Sequence, residues 1–275
     1  MKTKQAGFLI VFGILSIGFL YGVLIEPCQV KVRQVRIKNS GLSKVLTGKT
    51  ALHVSDLHLT GIGEREEKIL AIIKRLQPDL IFLTGDYVTW NGDYGPALTL
   101  FSRLKARNGV WAVMGDYDYS CSRKSCLFCH ERGSGSFVKG HDVRFLRNRV
   151  ERICLKDGSV WLGGIDPGAE FDFSNHEKVS LPEGKTPAII LSHSPLIFDC
   201  IDQDQDVLIL AGDTHGGQIC LPPWLWNVLG YKKCSLYRYG LFQKGRKMMY
   251  VSSGIGTSHV PIRLFQPPEV VVFHF

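Results

Sequence analysis

Ala51-Leu52-His53-Val54-Ser55-Asp56-Leu57-His58 is an apolar run that ends in an Asp and a His. A short continuous run of this kind reads as a strand buried on both faces. Four later stretches follow the same rule. Asp79–Gly85 leads into Asp86, and Val110–Gly115 leads into Asp116-Tyr117-Asp118. Ala188–Ser192 leads into His193, and Val207–Gly212 leads into Asp213-Thr214-His215. Strands of one sheet bring their carboxyl ends to one edge, where such folds bind ligands. The expectation is a shared metal site built from Asp56, His58, Asp86, Asp116, His193, Asp213 and His215. On a strand, residues i and i+2 share a face, which pairs Asp56 with His58 and Asp213 with His215. Glycines before Asp86, Asp116 and Asp213 permit sharp turns and close approach. A lone Asp at a strand end is ordinarily a turn or cap residue. Five such ends in order, with three His among them, point to a metal centre instead.

Composition sets the frame around this core. The chain has 275 residues, 45% of them hydrophobic, enough for one large domain. The net charge of +8 is scattered, without the aromatic–basic interleaving of an RNA-binding surface, so no nucleic acid is expected. Residues 1–28 read as a single-pass membrane anchor. The apolar stretch Ala6–Ile25 is 20 residues long, enough to cross the hydrocarbon core, and no small-residue cleavage site follows it. The expected location is a bacterial inner (cytoplasmic) membrane. Lys2 and Lys4 favour an inside N-terminus, whereas Lys31, Arg33, Arg36 and Lys38 outnumber them and favour an inside C-terminal domain. The side of the catalytic domain therefore stays open.

Residues 29–49 read as a basic connector carrying one edge strand, from the period-two alternation of Val30–Arg33 and Val35–Lys38. Residues 50–275 form the main domain. A helix over about 64–76 follows from the stripe Ile69, Leu70, Ile72, Ile73 and Leu76, and its Glu-rich start suits the helix dipole. A second helix spans about 96–105. From about Val143 the pattern turns hairpin-rich, with Asp157-Gly158 as a tight turn. The sum is an α/β class, with two sheets packed face to face and helices outside.

The series Asp56-x-His58, Gly85-Asp86, Gly115-Asp116-Tyr117-Asp118, His193 and Gly212-Asp213-Thr214-His215 resembles the calcineurin-like metallophosphoesterase signature. Ile25-Glu26-Pro27, Gly216-Gly217-Gln218, Gly254–Ser258 and Pro261-Ile262-Arg263 resemble its membrane-anchored bacterial branch, which includes UDP-2,3-diacylglucosamine hydrolases of lipid A synthesis. The resemblance implies a four-layer α/β/β/α sandwich. It implies two divalent ions (Mn, Mg, Fe or Zn), with Asp56, His58, Asp86 and His215 on the first and Asp86, Asp116, His193 and Asp213 on the second. It further implies a phosphorylated or nucleotide-sugar lipid substrate at the bilayer.

The chain departs from that signature at three places. The third motif of the family usually reads Asn-His where this chain has Asp116-Tyr117, and the last usually has His at Asp213. Four carboxylates would then cancel two divalent ions, which weakens the pull on an anionic substrate. Tyr117 stands where the family's catalytic His would be; a phenol there is either a hydrogen-bond donor to the substrate or a packing residue. His130 and His141 read as surface histidines, with compensation for the missing His as the alternative. The segment Cys121–His130 contains a Cys-x-x-Cys-His string, so Cys121, Cys126, Cys129 and His130 form a candidate second metal or haem c site, against disulfides or plain thiols. A catalytically impaired metal- or haem-binding membrane protein is therefore the rival function. Leu221–Leu229, with Trp224 and Trp226, reads either as core or as a membrane-facing lip.

Overall fold

The computed structural model describes residues 2–38, 40–90, 92–119, 128, 140–156, 158–166 and 188–275. Its strands in chain order are β1 (Lys31–Arg36), β2 (Thr50–Val54), β3 (Leu80–Thr84), β4 (Val110–Val113), β5 (Val143–Phe145), β6 (Arg149–Leu155), β7 (Gly158–Ile165), β8 (Ala188–Ser192), β9 (Val207–Ala211), β10 (Gly240–Lys244), β11 (Lys247–Val251) and β12 (Glu269–His274). The helices are α1 (Lys2–Leu20), α2 (Ser40–Leu46), α3 (Glu64–Leu76), α4 (Gly95–Arg103), α5 (Ile197–Cys200), α6 (Pro223–Val228) and α7 (Lys232–Leu236).

Two mixed sheets result, ordered β1-β12-β2-β3-β4-β5 and β10-β11-β9-β8-β7-β6. Alternation along each strand decides how they pack. In β3, Leu80 and Phe82 meet Leu208, Leu210 and Ile189 of the other sheet, while Ile81 and Leu83 meet Ile69 and Ile73 of α3 and Leu100 and Phe101 of α4. In β9, Val207 and Ile209 turn away from the first sheet onto Ile197 and Phe198 of α5. Both faces of these strands are buried, which is why their sequences are apolar without alternation.

The five runs do not share one sheet. The β2, β3 and β4 runs lie in one sheet and the β8 and β9 runs in the other. Their carboxyl ends meet across the open end of the sandwich. The connector also differs from expectation. Its edge strand β1 pairs in parallel with β12, but α2 follows, with Leu42 and Leu46 fully buried under the inter-sheet core. Seven residues containing a Gly are too short and too weakly periodic to announce a helix; burial of the two leucines stabilises it.

α1 continues through a π-helical turn (Tyr21–Ile25) into a 3₁₀ turn (Glu26–Cys28). The helix exposes Leu9, Phe12, Ile14, Leu15 and Ile17, and Leu9–Cys28 is long and apolar enough to cross a membrane. Its lower end is fixed to the domain. Gly22 accepts from the Arg263 backbone at 2.8 Å, and buried Glu26 accepts from the Phe265 and Gln266 amides at 2.9 and 2.6 Å. A side chain at Gly22 would lie 3.0 Å from Arg263 O and Ile262.

Arg263 itself is fully buried and holds the loop that receives the foot of α1. Its guanidinium donates to the carbonyls of Ser253, Gly256 and Gln266 at 2.6–3.2 Å. Arg263→Met keeps the length but leaves these carbonyls without a donor. The expected loss is about 3 kcal/mol, since each orphaned buried acceptor costs about 1–3 kcal/mol. Urea unfolding of the detergent-solubilised chain measures it, and a change under about 1 kcal/mol contradicts this role for Arg263.

Candidate metal centre

The turns after β2, β3 and β9 carry an unusual backbone. Asp56, His58, Asp86, Asp213 and His215 all have φ between 43° and 74°, the left-handed region that non-glycine residues seldom enter. Five of the ten such non-glycine residues described are candidate ligands. Strain of this kind persists only where the surroundings fix it, and it collects at functional sites. Asp56 and His58 therefore converge through a strained loop, not through the pleat of a strand as the i, i+2 reading supposed. The loop is pinned by Asp56 N donating to Gly85 O and His58 N to Asp86 O, at 3.0 and 2.9 Å.

The glycines serve in two ways. Gly85 has φ 91°, so it supplies the turn itself. Gly115 and Gly212 supply room: a Cβ would come within 2.2 Å of Asp86 Oδ1 at Gly115, and within 2.0 Å of Ser55 Oγ and 2.3 Å of Asp56 Oδ2 at Gly212.

The ligand atoms converge at one spacing. His58 Nε2 is 3.1 Å from His215 Nε2 and 3.5 Å from Asp86 Oδ2. His215 Nε2 is 3.6 Å from Asp56 Oδ1, and His193 Nε2 is 3.4 Å from the same Asp86 Oδ2. Ligands about 2.1 Å from a tetrahedral ion stand about 3.4 Å apart. Two buried groups of candidate ligands emerge, Asp56 with His58 and His215, and Asp56 with Asp86 and His193. Asp86 Oδ2 is the oxygen that approaches both His58 and His193. Asp56 Oδ2 is buried with no hydrogen-bond partner, a further sign that these residues fit a cation.

Electrostatics agree with this fit. Burial holds His58 down to about 4 and His215 well below its ordinary value, so both imidazoles are neutral donors of a lone pair. Burial raises Asp56 to about 7. His193 is also pushed down by burial, but Asp86, Asp213 and Asp56 outweigh that and raise it well above its ordinary value. A cradle that draws a proton this strongly draws a metal cation by the same field.

Neighbours orient the ligands. The His193 ring lies with Nδ1 2.8 Å from Thr84 O, which turns Nε2 toward Asp86. Thr84 Oγ1 in turn donates to Ser55 Oγ at 2.7 Å and lies 2.7 Å from His53 Nε2. Asp118 accepts from the backbone amides of Asp86, Tyr87 and Gly115 at 2.7–2.9 Å, tying the second motif to the third. Its place in the Gly115–Asp118 string was legible, its function as an amide acceptor was not.

The altered positions behave differently. Asp116 and Asp213 lie outside both ligand groups. The Asp213 amide donates to Asp56 Oδ1 at 2.9 Å, but its carboxylate is paired with Lys233 Nζ of α7. By sequence Asp213 is an expected metal ligand; the structure gives its carboxylate a lysine partner, and nothing in the sequence around Lys233 signals the contact. Tyr117 packs its ring edge-on to His58, centroids 4.8 Å apart, and its hydroxyl is 3.5 Å from His259 Nε2. His141 is neither a surface histidine nor a substitute for the missing His: it is buried against Phe101 and Phe145. The candidate site of Cys121, Cys126, Cys129 and His130 lies outside the described residues. Trp226 is buried, with its ring at the place a Gly217 side chain would take, whereas Trp224 is 67% exposed. The 221–229 segment is thus partly core and partly surface.

Comparison with known proteins fits this geometry. The family model for calcineurin-like phosphoesterases matches residues 49–217. The chain belongs to that family. It is accordingly a hydrolase, a phosphoesterase, with clustered Asp and His residues able to bind metal. It is 30% identical to the metallophosphoesterase YkoQ of Bacillus subtilis, over 93% of this chain and 94% of that one. The YkuE metallophosphoesterase of the same organism is 26% identical over 93% and 89%. A zebrafish protein named as a transmembrane protein with a metallophosphoesterase domain is 27% identical, over 95% of this chain and 60% of its own length.

His53 gives the site a pH signature. Burial holds its imidazole at about 3, against an ordinary value of 6.5. Between those values the unfolded chain binds a proton that the folded one refuses, so stability falls as pH is lowered through that window. His53→Gln should flatten the acid limb by up to about 1.4 kcal/mol per pH unit. Urea titrations at pH 7 and pH 5 check this; an unchanged slope contradicts it.

Proposed function

We propose that the chain is a membrane-anchored, metal-dependent hydrolase that cleaves a phosphate ester or pyrophosphate bond in an amphiphilic substrate. The observation that carries this reading is the approach of Asp86 Oδ2 to both His58 Nε2 and His193 Nε2, at 3.5 and 3.4 Å. Asp56, His58, Asp86 and His215 would hold one divalent ion, and Asp86, His193 and Asp116 the second. Mn, Mg, Fe or Zn suits such nitrogen and carboxylate donors. Such ions, when bound, polarise the phosphoryl oxygens and lower the pKa of bound water.

The chain's own residues do the rest. A cavity of about 620 Å³ opens beside the ligands, lined by Asp116, Tyr117, Trp226, Lys232, Lys233 and His259 among others. Burial and the nearby carboxylates keep the Tyr117 phenol above its ordinary value and protonated at neutral pH. It therefore serves as a hydrogen-bond donor to a phosphoryl or leaving oxygen. Asp118 keeps Tyr117 and Asp86 in register by holding the amides of both motifs.

The anchor bears on the substrate. The loop that receives α1 pairs with the chain just after His215: Cys220 N donates to Leu264 O at 2.9 Å and Leu264 N to Gln218 O at 2.8 Å. The foot of the helix and the mouth of the cavity are thus neighbours. Phe265 of that loop and Trp224 and Val228 of α6 are 75%, 67% and 74% exposed. Exposed apolar side chains beside a membrane helix are placed to enter the interface. A phosphorylated or nucleotide-sugar lipid in a bacterial inner membrane fits, with UDP-2,3-diacylglucosamine as the first candidate. The zebrafish relative's name gives the membrane reading further support.

The full chain in detergent with Mn²⁺ should hydrolyse bis-p-nitrophenyl phosphate, and Asp86→Ala should lower the rate by about a thousandfold, which corresponds to about 4 kcal/mol of barrier. Activity within tenfold of wild type would refute the assignment. Replacing Trp224 and Phe265 together by Ser should lower kcat/KM about tenfold on a diacylated substrate, with the soluble ester unaffected. Equal loss on both substrates argues against a lip.

A further inference from the structure

Asp213 is the residue at which this chain trades an imidazole for a carboxylate, and Lys233 is placed to answer the trade. Its ammonium is ion-paired with Asp213 Oδ2, and the Asp213 side chain is only 15% exposed. α7 is locked to the turn that carries Asp213: Cys234 Sγ lies 3.7 Å from Thr214 O, and Thr214 Oγ1 donates to Arg238 O at 2.6 Å. Lys233 therefore reaches Asp213 from a fixed support, not from a free surface chain. The two buried ligand groups leave out Asp116 as well as Asp213; what sets Asp213 apart is that its carboxylate is already ion-paired with a lysine.

We propose that the Lys233 ammonium, and not a metal ion, is the resident partner of the Asp213 carboxylate, so that the second ion is held by Asp86, His193 and Asp116 without Asp213 and is the weaker, exchangeable one. This rests on the metal-centre reading above and gives that centre an asymmetry. The first ion keeps a full set of buried donors. The second loses one, because a carboxylate engaged by a fixed ammonium presents less charge and one oxygen fewer to a cation. The same lysine answers the excess of carboxylates. With Asp116 and Asp213 added to Asp56 and Asp86, four negative charges face two divalent ions, and Lys233 returns a positive charge to the cavity wall. It lines the cavity, so it also stands where a phosphoryl oxygen would enter.

The position of Asp213 in the last motif makes the trade consequential. Asp213 N donates to Asp56 Oδ1, and Asp56 belongs to both ligand groups. The backbone of Asp213 thus supports the first ion's ligand, while its side chain is withdrawn from the second. A histidine at 213 with a methionine at 233 would be expected to behave as a symmetric centre.

The test is a double-mutant cycle on metal affinity, read by calorimetric titration of Mn²⁺ into the stripped full-length protein in detergent, with electron paramagnetic resonance reporting bound ion. Wild type should show one tight site and one at least about tenfold weaker. Lys233→Met should tighten the weak site by about tenfold, as Asp213 is released to it. Asp213→Asn should cost the weak site no more than about threefold in wild type but about thirtyfold in the Lys233→Met background. That non-additivity separates ligation by Asp213 from simple removal of a positive charge, which would be additive. Equal effects of Asp213→Asn in both backgrounds would overturn the proposal. So would a weak site that Lys233→Met leaves unchanged or weakens. An unaltered tight site in each variant shows that the fold is intact. If wild type binds no ion at all, the metal-centre reading itself falls, a result distinct from any of these.

Discussion

Two carboxylates, Asp56 and Asp86, are buried at the seam where both sheets end, at 0% and 3% exposure. An ionised carboxylate removed from water is unfavourable by many kcal/mol unless charge and hydrogen bonds surround it. Everything near the seam follows from that constraint. Asp86 Oδ2 is flanked by two imidazoles, and its Oδ1 accepts from the Tyr117 amide at 2.9 Å. Asp56 Oδ1 accepts from the Asp213 amide, which ties the first sheet to the second. Gly212 and Gly115 exist in this chain because the carboxylates come too close for any side chain there. The left-handed backbone at five ligand positions is the local expense of aiming these groups inward, held in place by the close-packed sheets on either side.

Much of this was legible in the sequence, and the reason is the layering. Strands covered on both faces have continuous apolar sequences, so β2, β3, β4, β8 and β9 stand out, as do their terminal Asp and His. α3 was legible from its stripe, since Ile69, Leu70 and Ile73 pack on one sheet face. The division of the five runs between two sheets was not legible. Periodicity reports burial, and it does not report which strand is a neighbour. β12, from the chain's far end, inserts between β1 and β2, and no local pattern encodes that pairing. Lys233 was hidden for a related reason. It sits on a five-residue helix 20 positions beyond Asp213, and only the tertiary fold brings the two together.

The N-terminal helix and the site are less separate than a linear reading makes them. Glu26 and Gly22, at the foot of α1, bond to the backbone of the 263–266 loop, and that loop bonds to Gln218 and Cys220 just beyond His215. The Arg263 guanidinium locks the same loop from inside. A connected set of backbone hydrogen bonds therefore runs from the helix foot to the ligand turn. Such a link fixes the direction in which the cavity opens relative to the helix, where a flexible tether would leave it free.

The altered motif residues acquire a common physical account once Lys233 is included. Carboxylates at Asp116 and Asp213 add two negative charges beside a site that must attract a phosphate. Left alone, those charges would oppose substrate entry, because the field at the cavity mouth would no longer be positive. Pairing one of them with a lysine on a fixed helix cancels half of the addition and places an ammonium in the cavity wall. Tyr117, in turn, contributes a neutral donor where a histidine would contribute a cation in its protonated form. The site thus moves positive charge from its third motif and its metal ligands to α7. Charge placed on α7 lies in the wall of the cavity that Asp116 and Tyr117 also line, so the attraction for phosphate is concentrated there.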